Sequence, residues 1–151
     1  MEKQGLLGNH VVAQIGIIVR DIEATARTYA EFFGMEMPEI NWTDIPEKAR
    51  TQYRGEPTNA RAKLAFMNMG SLQLELIEPD EHPSTWREYL DEHGEGVHHI
   101  AFFVKGMKEK IELMGSQGMP LVQYGKYTGG RYAYMDTFPQ LKVMLELLEN
   151  D

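Results

Sequence analysis

Gly96-Val97-His98-His99-Ile100-Ala101-Phe102-Phe103-Val104 carries two adjacent histidines at the head of an apolar and aromatic run. Its length and composition predict a buried strand. With period-two alternation His98 and His99 point to opposite faces, so one of them turns inward. The stretch gains meaning from an earlier one. Gln14-Ile15-Gly16-Ile17-Ile18-Val19-Arg20-Asp21 aligns with His99-Ile100-Ala101-Phe102-Phe103-Val104-Lys105-Gly106. Leu74-Glu75-Leu76-Ile77-Glu78 aligns in the same way with Leu145-Glu146-Leu147-Leu148-Glu149. The order strand, helix, three strands therefore occurs twice. Two copies of one such unit cannot each bury a sheet alone, and they are expected to pack about a pseudo-two-fold axis.

The local signals fill in the units. Residues 10–19 read as a strand, Asp21 as an N-cap, and Ile22, Ala26, Tyr29, Ala30 and Phe33 recur at helical spacing before Gly34. Residues 35–40 read as a short edge strand because of Pro38. Residues 61–68 and 72–78 read as a hairpin, and Ser84 caps a short helix over 85–92. A helix over 107–116, strands over 119–124 and 131–136, and a last strand over 141–148 complete the second copy. The offset between the copies shrinks from the first matched pair to the second, which locates an insertion in the first copy. The polar segment 41–60, with Pro46, Gly55 and Pro57, is where it falls, and it reads as a long loop holding at most one helical turn. The expected architecture is α+β: a first βαβββ module over 10–80 with its insertion at 41–60, a linker with a short helix over 81–96, and a second βαβββ module over 97–149. The two modules form one structural domain around a cleft-shaped, curved mixed sheet.

The symmetry selects candidate ligands. Gln14 and His99 become one facing pair, Glu75 and Glu146 another, and the glutamates stand among leucines. Inward-facing carboxylates need a cation. One imidazole, one amide oxygen and two carboxylates suit Zn²⁺, Ni²⁺, Co²⁺ or Mn²⁺, and two carboxylates cancel the ion's charge. His98, by alternation, is left as a packing or surface residue. The chain has 151 residues, a formal charge of −8 and no cysteine. That composition excludes disulfides, a thiol nucleophile and thiolate metal sites, and argues against non-specific nucleic-acid binding. No segment reaches the ~18 apolar residues of a membrane span, and residues 1–9 lack a signal-peptide core; a soluble, cytoplasmic protein is the default expectation. The basic residues of 48–63 (Lys48, Arg50, Arg54, Arg61, Lys63) are candidates to meet an anionic small molecule.

At the four candidate ligands the chain resembles the vicinal oxygen chelate superfamily, also called the glyoxalase, bleomycin-resistance and dioxygenase fold. That resemblance implies paired βαβββ modules with a divalent metal in the cleft between them, Gln14, Glu75, His99 and Glu146 as ligands, and a homodimer. Within the superfamily, Tyr89-Leu90-Asp91-Glu92-His93-Gly94-Glu95-Gly96-Val97-His98-His99-Ile100-Ala101 and Leu74-Glu75-Leu76-Ile77-Glu78-Pro79 are similar to methylmalonyl-CoA epimerases, which usually carry His where Gln14 stands. The set Gln, Glu, His, Glu resembles glyoxalase I. The implied chemistry is abstraction of a proton alpha to a carbonyl, with the charge held by the metal, Glu146 as base and Glu75 as its partner. The substrate is expected to be an anionic carbonyl or thioester compound, with Arg54, Arg61, Arg131 and Tyr134 as candidate contacts. The glyoxalase I reaction is the alternative activity, and a small-molecule binding protein of the resistance type is the non-enzymatic one.

Overall fold

The computed structural model describes residues 5–151, so the first four residues of the N-terminal reading lie outside the described residues. In chain order the elements are β1 (Gln14–Ile18), α1 (Ile22–Phe33), β2 (Ile40–Trp42), α2 (Pro46–Ala49), β3 (Gln52–Tyr53), β4 (Glu56–Pro57), β5 (Ala62–Asn68) and β6 (Gln73–Pro79). They continue with α3 (Thr85–His93), β7 (Gly96–Phe103), α4 (Met107–Ser116), β8 (Leu121–Tyr127), β9 (Gly130–Met135), α5 (Phe138–Leu141) and β10 (Met144–Asn150).

Local chemistry sets several boundaries. The Asp21 carboxylate accepts from the Ala24 N–H at 3.1 Å and starts α1, and Gly34, at φ 66°, ends it in the left-handed region where a side chain is disfavoured. Ser84 accepts from the Arg87 N–H at 3.0 Å and starts α3. Each helix then buries an apolar stripe. Ile22 and Ala26 of α1 pack with Val19, Ala65 and Leu76, and Ala30 is buried one turn further on. Met107 and Met114 of α4 pack with Phe102, Ala133 and Leu147. Trp86 and Leu90 of α3 close the space between, against Ile18, Ile77 and Tyr134. Among the described residues no helix is long and apolar enough to cross a membrane.

The strands form one curled, mixed sheet in the order β2-β5-β6-β1-β7-β10-β9-β8-β3-β4. Its middle repeats the internal symmetry. β1 runs parallel to β6, β7 runs parallel to β10, and the halves meet where β1 pairs antiparallel with β7.

The edge strand expected over 35–40 forms later, as β2 at Ile40–Trp42, and three larger expectations change. The segment 41–60 is not one long loop. It begins in β2, turns through α2, and supplies β3, which pairs with β8 at the far end of the sheet, and β4 beyond it. An open strand edge is thereby covered, a reason invisible to local composition. The residues before the last strand hold the short helix α5, so β10 starts at Met144. The third change concerns the histidines. Gly16 lies opposite His99 but Ile17 lies opposite Val97, so His98 is the extra residue of a β-bulge. A bulge suspends strict alternation, and His98 and His99 bring their rings together instead of pointing apart.

The registers show how the halves make a site. Across the four central strands one row reads Glu75, Gly16, His99, Met144 and the next reads Gln73, Gln14, Ala101, Glu146. Both rows project to the same face, being two residues apart along each strand. The pseudo-two-fold exchanges Glu75 with Glu146, Gly16 with Ala101, and His99 with Gln14. The two long central side chains reach inward over the two small ones. At Gly16 the clearance is absolute: a Cβ there would stand 2.0 Å from Cε1 of His99. Gly16→Ala is therefore expected to displace the imidazole and lower stability by about 1–3 kcal/mol, read as a lower urea midpoint; a change within about 0.5 kcal/mol overturns this account of the seam.

Candidate metal centre

Gln14, Glu75, His99 and Glu146 come together on the floor of the cleft between the two halves. All four are buried, at 6%, 7%, 0% and 5% exposure. His99 Nε2 is the hub: it lies 2.9 Å from Gln14 Oε1, 3.1 Å from Glu146 Oε1 and 3.4 Å from Glu75 Oε1. One donor atom from each of Glu75, His99 and Glu146 lies within 4.8 Å of the others. Two ligand atoms each about 2.1 Å from one ion, at tetrahedral or octahedral angles, stand ~3.0–3.4 Å apart. The hub distances have that spacing.

The electrostatics point the same way. Burial pushes the Glu146 carboxyl up to about 8, with the Tyr134 hydroxyl, hydrogen-bonded to it, offsetting part of the rise. Burial pushes Glu75 well above the usual carboxylate range, and the charge of Glu146 adds to it. Burial also depresses His99 to about 3. Desolvation thus acts against charge on both the imidazole and the carboxyls at this depth. Four atoms that each offer a lone pair converge there, and they require either shared protons or a cation. The Gln14 amide adapts to both. With Oε1 toward the centre its N–H donates to Gln73 Oε1 at 2.7 Å. Turned over, the amide N–H reaches Glu146 at 3.1 Å and Glu75 at 3.3 Å. Gln73 is the neighbour of Gln14 in the β1–β6 register, a pairing that only the sheet reveals.

The cleft encloses ≈ 430 Å³. Tyr132 and Tyr134 line it near the centre, both with phenols pushed up by burial and so held as O–H donors. Trp86 donates its indole N–H to the Tyr134 oxygen at 2.9 Å, so this residue of the linker helix supports the cleft wall. Half-exposed Trp42, Phe66 and Phe103 stand at the mouth. They escaped sequence reading because each is an ordinary apolar strand residue. Of the candidate substrate contacts Tyr134 lines the cleft and the three arginines do not. Arg54 is paired with Glu88 at 2.8 Å, Arg61 donates to the Thr43 carbonyl at 2.7 Å, and Arg131 is paired with Glu149 and Asp151. Lys126 is the one Lys or Arg on the cleft lining among the described residues.

Residues 13–134 match the Glyoxalase/Bleomycin resistance protein/Dioxygenase superfamily. The chain belongs to this superfamily. A curated relative, Uncharacterized protein YqjC of Bacillus subtilis (strain 168), is 30% identical over 92 residues. That match covers 59% of this chain and 66% of the relative's length. Among solved structures, methylmalonyl-CoA epimerase from Mycobacterium tuberculosis superposes with a TM-score of 0.67 at 22% identity, covering 100% of this chain and 93% of that one. A hypothetical protein from Bacillus halodurans C-125 gives 0.64 at 24%, covering 93% and 94%. Streptomyces coelicolor methylmalonyl-CoA epimerase in complex with 2-nitronate-propionyl-CoA gives 0.60 at 24%, covering 92% and 96%. At these identities the solved structures establish the fold; members of the superfamily typically use a divalent metal.

The shifted groups make the stability of this site depend on pH. Glu146 and Glu75 titrate higher in the fold than unfolded, so without metal their contribution to stability is full below about 4.5 and falls as pH rises above it, that of Glu146 being lost toward about 8. His99 titrates lower, so its contribution is full above about 6.5 and is lost as pH falls toward about 3. His98, also depressed by burial, adds a second contribution of this kind, so between about 4.5 and 6.5 the two carboxyls and the two imidazoles offset one another, and metal-free protein is expected to be most stable across that window. Zn²⁺, Ni²⁺, Co²⁺ or Mn²⁺ must displace the carboxyl protons, so the rise in Tm on adding metal grows with pH up to about 8. Thermal melts with chelator and with each ion across this range check it; a metal effect that is absent or flat with pH refutes it.

Proposed function

We propose that this chain is a divalent-metal-dependent isomerase or epimerase that removes a proton alpha to a carbonyl, as methylmalonyl-CoA epimerases do. The observation that carries the reading is the convergence of Gln14 Oε1, Glu75 Oε1, His99 Nε2 and Glu146 Oε1 at the floor of an open cleft. These four atoms would hold the ion. When bound, a divalent ion supplies Lewis-acid stabilisation of negative charge on a carbonyl oxygen.

The protein's own groups do the rest. Glu146 accepts the α-proton on its carboxylate. Such positioned proton transfer contributes roughly 10²–10⁴-fold. Glu75, the symmetry mate on the other side of His99, is the group that returns a proton. Tyr132 and Tyr134, kept protonated by burial, are donors to oxygen atoms of the substrate or of Glu146. The aromatic mouth limits water around the reacting carbon. Lys126 takes the anionic part of the substrate, the role the sequence suggested for Arg54, Arg61 and Arg131.

The amide at position 14 favours one second reading, the glyoxalase I-like lyase, whose ligand set the chain resembles. One experiment separates the readings. Protein saturated with each metal is incubated in deuterated buffer with methylmalonyl-CoA, and separately with the methylglyoxal–glutathione adduct. Deuterium entering the first supports the epimerase; turnover of the second transfers the proposal to the lyase. Full metal occupancy with neither reaction rejects both named activities and leaves only membership of the superfamily. Glu146→Gln is expected to slow the supported reaction by about 10²–10⁴-fold, with metal content measured alongside.

A further inference from the structure

The bulge in β7 has placed a second histidine against the back of the first. His98 Nδ1 and His99 Nδ1 stand 2.9 Å apart, and His98 is the one hydrogen-bond partner of His99 Nδ1 among the described residues. Two ring nitrogens at that distance must be one donor and one acceptor. His99 turns Nε2 to the two carboxylates and Gln14, so a cation there requires an unprotonated Nε2. A neutral imidazole then carries its proton on Nδ1. We propose that His98 is the positioning residue of the metal centre: its Nδ1 accepts the His99 Nδ1–H and so holds the His99 Nε2 lone pair toward the ion. The inference rests on the metal-centre reading and adds a residue that alternation had assigned to packing or the surface.

Three further observations fit. His98 is 2% exposed, and its ring is clamped edge-to-face by Tyr89 at 5.6 Å, Tyr134 at 5.0 Å and His99 at 5.1 Å, which fixes the direction of Nδ1. Accepting on Nδ1 obliges a neutral His98 to carry its proton on Nε2. That atom has no partner among the described residues. His98 lines a separate cavity of ≈ 400 Å³, which shares no lining residue with the cleft. Thr85, whose Oγ1 is also unpartnered, lines the same cavity. The cavity gives the His98 Nε2–H room to donate to water. The usual partner of a ligand imidazole is a carboxylate or a backbone carbonyl. Here a neutral imidazole does that work, adding no charge to a centre that already holds two carboxylates.

The test sets acceptor chemistry against ring packing. His98→Asn keeps an oxygen near the place of Nδ1 but loses the ring. His98→Phe keeps a ring but loses the acceptor. Zn²⁺ and Co²⁺ affinities are measured by competition with a chelator, with Tm recorded for each metal-free variant. The proposal expects His98→Phe to bind about 10–100-fold more weakly and His98→Asn to stay within about threefold of the native protein. The reverse order shows a packing role and overturns it. Long-range ¹H–¹⁵N spectra of the native Zn²⁺ form give a reading independent of how the variants fold. Protons on His99 Nδ1 and His98 Nε2 support the proposal; a proton on His98 Nδ1 overturns it. Native protein that binds no metal overturns the centre itself together with this role, whereas native binding unchanged in His98→Phe overturns the role alone.

Discussion

A side chain at position 16 and the imidazole of His99 cannot occupy the same space, and the structure depends on that exclusion. The two halves of the sheet meet at β1 and β7, where the strands lie about 4.8 Å apart. A histidine on one can lean over the other only if its opposite residue has no Cβ. Gly16 provides this, and Ala101 provides the lesser clearance that Gln14 needs. Once both long side chains lean inward, the glutamates one strand further out, Glu75 and Glu146, face them across the curl. The seam that joins the halves and the floor of the site are therefore one feature.

Symmetry of backbone here does not mean symmetry of chemistry. The pseudo-two-fold exchanges His99 with Gln14, an imidazole with an amide. The imidazole carries one lone pair and needs its second nitrogen satisfied, a need met by His98 through the bulge. The amide carries both donor and acceptor and can turn over, with Gln73 beside it. The second half thus contributes a rigid donor group and the first an adaptable one. The carboxylates are equivalent in position, yet each raises the cost of ionising the other.

Much of the framework was legible in the chain. Asp21 and Gly34 bound a helix by local hydrogen bonding and by a left-handed turn, and such signals need no knowledge of the rest of the molecule. The repeat gave more, because matched positions in two copies of a unit become neighbours when the copies pack. Gln14, Glu75, His99 and Glu146 were found that way and stand within hydrogen-bond distances of a common hub. The arginines were read less well. Arg54, Arg61 and Arg131 looked free for a ligand, but Glu88, the Thr43 carbonyl and the pair Glu149 and Asp151 engage them. A cation finds its partner through space, and nothing in local composition names it.

The sequence by itself determined which elements form, that they form twice, and which donor types the two copies contribute. Those properties follow from periodicity, capping and residue chemistry, all of which act over a few positions. Only the tertiary structure decided that segment 41–60 would cross to the open edge of β8, that His98 would sit in a bulge and turn toward His99, and that Lys126 would be the cation on the cleft lining. Each of these is set by strand pairing between distant parts of the chain. A shift of one residue in such a register reverses the face a side chain takes, and the shift leaves no mark on the residues that undergo it.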